Sequence, residues 1–442
     1  MFKRKIYKDL LDWKDSSKGT TALLIEGARR VGKSTIAEEF AKAEYKSYIL
    51  IDFAFAPGHI IELFKDINDF DYLFLQLQLH YGVDLHERES LIIFDEVQFN
   101  PLARQAIKKL VADGRYDYIE TGSLISIKKN VEGILIPSEE RKIEMFPMDF
   151  EEFLWATGEG VTNNMLEKFF ISKKPLGEDA NRNMMRLFRL YMLVGGMPQA
   201  IKAYIDTNNF KMVDQVKRDI INLYEQDFYK IDPSGKISTL FDSIPAELAR
   251  ASSRYQVSSV IKNSRASDLL EEISELKASK TVLIAYNAND PSTGLSRNLN
   301  LDKFKMYLAD TGLMVTLMFK DRDFTDNVIY KKILSNKLSS NLGMLYENIV
   351  GQTFAAKGYK LFYHTYYDKT AKRTYEIDYL ITEANKISPV EVKSSNYRKH
   401  TSLDDFSKKY SKNIGNKYVI HNKDFKKEKD IYYLPFYMAQ FL

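Results

Sequence analysis

Gly27-Ala28-Arg29-Arg30-Val31-Gly32-Lys33-Ser34-Thr35 is the most informative segment of this chain. Its first eight residues fit G-x-x-x-x-G-K-[ST], the loop that cradles the phosphates of nucleoside triphosphates. An apolar run, Ala22-Leu23-Leu24-Ile25-Glu26, precedes it, and a helical pattern, Thr35-Ile36-Ala37-Glu38-Glu39-Phe40-Ala41, follows. The motif therefore sits in the strand–loop–helix setting it requires. The glycines allow a tight turn, so that the backbone N–H groups of Gly27 through Thr35 and the helix N-terminus point at phosphate oxygens. Lys33 would reach the β- and γ-phosphates, and the Ser34 hydroxyl would ligate Mg²⁺.

Working outward, Leu91-Ile92-Ile93-Phe94-Asp95-Glu96 is an apolar strand ending in two carboxylates. Asp95 would hold Mg²⁺, directly or through water, and Glu96 would orient or deprotonate the attacking water. The next strand, Tyr116 to Glu120, runs into Thr121-Gly122-Ser123. A polar residue there can sense the γ-phosphate; Thr121 is the first choice and Ser123 the second, and an ordinary polar turn is the plain alternative. A transition-state arginine is worth ~10³–10⁵ in rate. Arg141, before the strand-like Lys142-Ile143-Glu144-Met145, is the first candidate. Arg29 and Arg30 are alternatives, and a surface salt bridge is the structural one.

The chain has 442 residues, enough for two to four domains. It has no cysteine, which excludes disulfides, thiolate nucleophiles and zinc–thiolate sites. No apolar run approaches the ~20 residues of a membrane span, and the basic start, Met1 to Ile6, lacks the apolar stretch of a secretion signal. The expectation is a cytoplasmic protein with no membrane partner. A net charge of +4 is small, but residues 393–430 hold 11 Lys and Arg against 5 Asp and Glu. Such a stretch would follow a phosphate backbone or simply be a solvated lysine-rich surface.

The pattern divides into four regions of an α/β chain. Residues 1–158 alternate strands and helices, as a parallel sheet requires. Residues 159–235 read as helical, with Met184–Leu193 and Val213–Phe228 the clearest amphipathic runs, broken at Gly195-Gly196-Met197-Pro198. Residues 236–300 read as three helices, the first reaching Ala251, and then a strand, Thr281–Tyr286. That suggests a winged helix-turn-helix or a plain three-helix module. The longer helix is acidic: Asp268, Glu271, Glu272 and Glu275 outnumber Arg265 and Lys277, and phosphates would repel it. Residues 301–442 are α/β again, with a helix over Leu342–Ala356 and strands at Lys360–Tyr366, Tyr375–Thr382 and Ile387–Lys393.

Gly27–Thr35, Leu91–Gln98, Glu120-Thr121-Gly122-Ser123, Phe146-Pro147-Met148-Asp149-Phe150-Glu151-Glu152-Phe153 and Gly195-Gly196-Met197-Pro198 follow one another in order. Together they resemble the prokaryotic AAA-type ATPases that carry a C-terminal domain of unknown function, DUF4143. The resemblance covers nearly the whole chain. It implies ATP rather than GTP, an ATPase domain, a winged-helix segment and a restriction-nuclease-like C-terminal fold. The family commonly has a Gly-Arg pair where Glu140 precedes Arg141 here.

Tyr375-Glu376-Ile377-Asp378-Tyr379-Leu380, followed by Pro389-Val390-Glu391-Val392-Lys393, is similar to the PD-(D/E)XK nuclease pattern. Residues two apart on a strand share a face, so Glu391 and Lys393 project together. Asp378 and Glu391 would hold one or two Mg²⁺ or Mn²⁺ ions, with Glu347 the helix-borne acid that such folds add. Lys393 would position the nucleophile or offset transition-state charge. The resulting expectation is an ATPase whose nucleotide state controls a nuclease-like domain acting on or binding DNA or RNA. Two competitors stand beside it: a slow ATP switch that recruits a protein partner and carries a silent nuclease fold, and a DNA-binding regulator working through the winged helix. A trans-acting arginine would require an oligomer.

Overall fold

The computed structural model describes every residue except 66, 68, 125–129, 131–132, 251–253, 292–294, 296–298, 323–326, 336–342 and 369–371. Ala251 and Leu342, the ends of two expected helices, lie outside the described residues. The chain forms two compact units, Met1–Phe146 with Ala278–Lys280, and Pro147–Lys277 with Thr281–Leu442. Among the described residues no helix is long and apolar enough to cross a membrane.

The first unit is built on a parallel five-stranded sheet. Its strands are β1 (Ala22–Glu26), β2 (Ser47–Asp52), β3 (Ser90–Asp95), β4 (Asp117–Thr121) and β5 (Glu140–Glu144), in the spatial order β2-β3-β4-β1-β5. In β3, Leu91 to Phe94 are all buried, the continuous apolar run expected of a strand covered on both faces. Burying one such side chain stabilises the fold by about 1.5–3 kcal/mol. The covering helices have legible ends. Pro101–Asp113 starts at the Asn100 side chain, which accepts from the Ala103 N–H, has Pro101 in its first turn and stops at Gly114, φ 77°. Because all five strands run the same way, the ends of β1, β3 and β4 open on one edge, where ligands bind in such sheets.

The second unit opens at Pro147. The helix Phe150–Ala156 begins with a capping box: the Glu152 N–H donates to Asp149 Oδ1 at 2.9 Å, and the Asp149 N–H donates to Glu152 Oε2 at 3.2 Å. Gly195 ends the helix Glu178–Val194 at φ 86°, and Pro198 opens the next, Pro198–Thr207. Gly196 is bound on both sides. Its N–H donates to the buried Asp310 carboxylate, and its carbonyl accepts the Met148 N–H at 2.7 Å. A Cβ on Gly196 would fall inside the Met148 carbonyl oxygen. Gly196→Ala should therefore destabilise the protein by about 3 kcal/mol, read as a lower urea midpoint. A loss below about 0.5 kcal/mol, within the range of harmless surface changes, would show that the turn yields. Lys217 is wholly buried nearby and donates to Leu193 O, Gly312 O and Tyr330 Oη at 2.8, 3.0 and 2.8 Å; burial pulls its ammonium down to about 8.

Two sheets complete this unit. One is β7-β6-β8-β9, formed by β6 (Val282–Ala288), β7 (Leu299–Leu308), β8 (Phe362–Asp368) and β9 (Arg373–Ile377). The other is β10-β11-β12-β14-β13, formed by β10 (Tyr379–Glu383), β11 (Lys386–Val392), β12 (Lys417–His421), β13 (Lys426–Glu428) and β14 (Ile431–Pro435). The strand that closes the segment expected as a winged helix, β6, is antiparallel to β7 and parallel to β8, so that segment runs into the same sheet as the C-terminal region. The single strand expected over Tyr375–Thr382 is two. Asp378 is the corner residue: Ile377 ends β9 in one sheet, and Tyr379 begins β10 in the other. Period-two alternation is unbroken through that corner, which is why the sequence does not reveal it.

Candidate functional site

At the open edge of the first unit, β1 ends at Glu26 and the loop Gly27–Gly32 leads into the helix Lys33–Glu44. Arg30 (φ 70°) and Gly32 (φ 99°) are both left-handed, the kind of backbone that turns successive N–H groups toward an anion. Gly27 admits no side chain, because a Cβ there would run into the Met145 carbonyl. Lys33 is buried and donates to Gly27 O at 3.0 Å and Ala28 O at 2.9 Å. Burial pulls its ammonium down to about 8, against the opposing pull of Glu96 and Asp95. Thr35 and Arg30 are exposed and Arg29 is half-buried.

The sheet order places β4 between β1 and β3, and this brings three separate stretches together. Asp95 Oδ1 accepts the Ser34 hydroxyl at 2.7 Å and also the Thr121 hydroxyl. A hydroxyl and a carboxylate side by side, both hard oxygen donors, fit a Mg²⁺ ion. Glu96 follows at φ 50° and accepts from the Gln98 amide. Ser123 is buried. Two neighbours are illegible in the sequence. Asp52 ends β2 directly opposite Asp95, its carboxyl raised by burial. Arg4 donates to Val31 O at 2.8 Å and Phe146 O at 2.7 Å, tying the loop to the end of the unit.

Arg141 is not brought to this edge. It pairs with Leu23, three residues before the end of β1, or about 10 Å back at strand rise, and donates to Ser16 Oγ at 3.3 Å. Its neighbour Glu140 binds Arg104 through two bonds of 2.9 and 3.0 Å, both side chains buried. Glu120, wholly buried beside them, has its carboxyl held well above the usual range by burial first and by Glu140 second. Glu140 thus serves a buried charge cluster of the sheet.

The second constellation forms around the Asp378 corner. Carboxylate oxygens of Glu347, on the helix Gly343–Ala356, of Glu376 on β9 and of Asp378 all lie within 4.8 Å of one another. Asp378 accepts the Val392 N–H at 2.7 Å, and its carboxyl is held well above the usual range by burial, with Glu347 adding to the effect. Glu391 and Lys393 do share a face, and they pair at 2.7 Å. Glu391, however, points its other oxygen to the Leu403 N–H at 3.0 Å, in the first turn of the helix Thr401–Lys409. It stands outside the three-acid group, and Glu376 stands in it. The spacing Glu376-Ile377-Asp378 was the available signal, since residues two apart face one way. Lys305 and Tyr307, from β7, also enter the group and carry no motif. A cleft of about 730 Å³ opens onto it, lined by Arg250, Arg254, Gln256, Lys305, Glu347 and Glu376 among others.

Residues 19–154 match the family described as AAA domain. That match spans the parallel sheet and the phosphate loop of the first unit, and residues 342–438 match a domain of unknown function, DUF4143. Residues 185–323 match a further domain of unknown function, DUF8612. No curated protein matches the chain. Solved structures similar to it include the following three. A Walker-type ATPase of Pyrococcus abyssi is 17% identical, covering 72% of this chain and 96% of its own, with a TM-score of 0.41. The ORC1 protein of Aeropyrum pernix in complex with DNA is 11% identical, covering 76% and 93%, TM-score 0.28. The RuvB Holliday junction branch migration motor of Thermotoga maritima is 12% identical, covering 66% and 90%, TM-score 0.28.

Proposed function

We propose that this protein hydrolyses ATP and that its nucleotide state controls a nuclease-like site acting on nucleic acid. The observation that carries the first half is the convergence of Ser34 and Thr121 on one oxygen of Asp95, beside Lys33 and Glu96. Ser34 and Asp95 would hold Mg²⁺, which screens the phosphate charge when bound. Lys33 would leave the carbonyls of Gly27 and Ala28 for the β- and γ-phosphate oxygens. Glu96 accepts a proton from water as the water oxygen bonds to the γ-phosphorus and the bond to the bridging oxygen of ADP breaks. Thr121 would report the presence of the γ-phosphate to Asp95.

The second half rests on the corner of carboxylates at the end of a cleft whose rim carries Arg250 and Arg254, cations suited to a phosphate backbone. Asp378, with Glu347 or Glu391, would hold a divalent ion, and Lys393 would offset charge on the displaced oxygen. The test is cleavage of single- and double-stranded DNA and RNA with Mg²⁺ or Mn²⁺, with and without ATP. Cleavage that falls at least ~100-fold in Asp378→Ala, the scale of losing one element of such a site, and that responds to ATP supports the reading. Absence of cleavage on every substrate favours a second one, an ATP-dependent switch that recruits a protein partner. The ion pairs of Lys305 within the acid group favour that second reading. A DNA-binding regulator is the weaker alternative, because the helix Leu270–Ala278 presents Glu271 and Glu272 in its first turn.

A further inference from the structure

The acid group around Asp378 already contains a cation. Lys305 reaches in from β7 and sets its ammonium 2.7 Å from Glu347 Oε1 and 2.5 Å from Glu376 Oε1, with its side chain only 7% exposed. Tyr307, two residues along the same strand face, donates its hydroxyl to the same Glu347 oxygen. A divalent ion bound by those oxygens would sit ~2.0–2.6 Å from them, within a few tenths of an ångström of the shell that the ammonium holds. Ammonium and metal would compete for the same oxygens and repel each other, so the position takes one or the other.

The charges of the whole constellation point the same way. Glu347, Glu376, Asp378 and Glu391 supply four carboxylates, and Lys305 and Lys393 supply two ammonium groups. Glu391 is committed to Lys393 and the Leu403 N–H, and Glu376 and Glu347 to Lys305. The acids lie within the region matched as DUF4143, whereas Lys305 lies in the preceding match, so one segment supplies the cation to the other's acidic centre.

We propose that Lys305 is a built-in cation standing where a metal ion would lie between Glu347 and Glu376, so that a divalent ion enters that position only when the lysine side chain leaves it. The inference rests on the nuclease-like reading of this site and makes Lys305 a positioning residue that sets how many ions the site takes. A half-buried acid group that loses its counter-charge is left with uncompensated charge, which another cation would offset.

The test counts Mn²⁺ bound to the nucleotide-free full chain by electron paramagnetic resonance, and follows thermal unfolding with and without Mn²⁺. Lys305→Gln should bind one more Mn²⁺ than the wild type, and Mn²⁺ should raise its melting temperature by several degrees more than it raises that of the wild type. Adding Glu376→Gln to Lys305→Gln should abolish both gains. Lys305→Arg, which keeps the charge, should gain neither. If Lys305→Gln does not fold in chelator, recovery of folding by Mn²⁺ counts for the proposal, and failure to recover counts against it. An unchanged Mn²⁺ count, or an extra ion that survives Glu376→Gln, would overturn it. None of these readouts uses cleavage. An extra ion in Lys305→Gln with no cleavage by any form would therefore sink the nuclease reading and leave the lysine's role standing.

Discussion

Lys33→Ala should lower ATP affinity by at least ~100-fold, because a hydrogen bond to a charged partner is worth about 1.5–3 kcal/mol and Lys33 would make more than one. The free protein holds this side chain ready: buried, with its ammonium bonded to Gly27 O and Ala28 O. Burial pulls it down to about 8, so that at pH 7 it is still mainly charged, and the arrival of phosphate oxygens reinforces that charge. Alanine removes the charge and leaves two loop carbonyls without that donor. Some loss of stability is therefore expected beside the loss of binding, and the two must be separated. Titration calorimetry with ATP and Mg²⁺ measures the first, and circular dichroism melting the second. ATP binding at wild-type affinity by folded Lys33→Ala would remove the phosphate-loop assignment.

Glu96→Gln is expected to separate binding from hydrolysis. Glutamine keeps the length of the side chain and a carbonyl oxygen for the Gln98 amide, so the left-handed turn at φ 50° should persist. It has no basic carboxylate to take a proton from water. General-base contributions of 10²–10⁴ set the expectation: ATP affinity within about threefold of wild type, and turnover slower by about that factor of 10²–10⁴. Retention of labelled nucleotide after rapid gel filtration, together with single-turnover rates, distinguishes the two steps. Turnover at the wild-type rate would mean that another group activates the water, and the half-buried Asp52 opposite Asp95 would be the next residue to change.

The contrast between the two sites shows what local sequence can carry. The phosphate loop was legible because its chemistry is contiguous: Gly27 to Ser34 are neighbours along the backbone, and the glycine positions are forced by backbone sterics. Asp95 stands at the end of an apolar run and Thr121 at the end of the next strand, and parallel strands end on one edge. Arg141 had the right charge for its suggested role, but charge says nothing about register, and pairing with Leu23 turns it toward Ser16. At the second site the Glu-x-Lys spacing correctly put Glu391 and Lys393 on one face. It did not show that Glu391 would spend an oxygen on a helix N-terminus while Glu376 joined Asp378.

The AAA-type P-loop character of the first unit, the strand and helix that flank its loop, and the α/β class of the chain are all readable along the sequence. Those features follow from residues that are neighbours in the chain or from apolar periodicity, both of which a single sequence displays. Tertiary structure alone decided that β4 lies between β1 and β3, bringing Thr121 to Asp95. It alone split the strand at Asp378 between two sheets, and carried Lys305 across from β7 into the acid group. Strand order, corner geometry and the pairing of a buried ammonium depend on contacts between residues far apart in the chain. Period-two and period-3.6 patterns record which face of an element is buried, but not which element it meets.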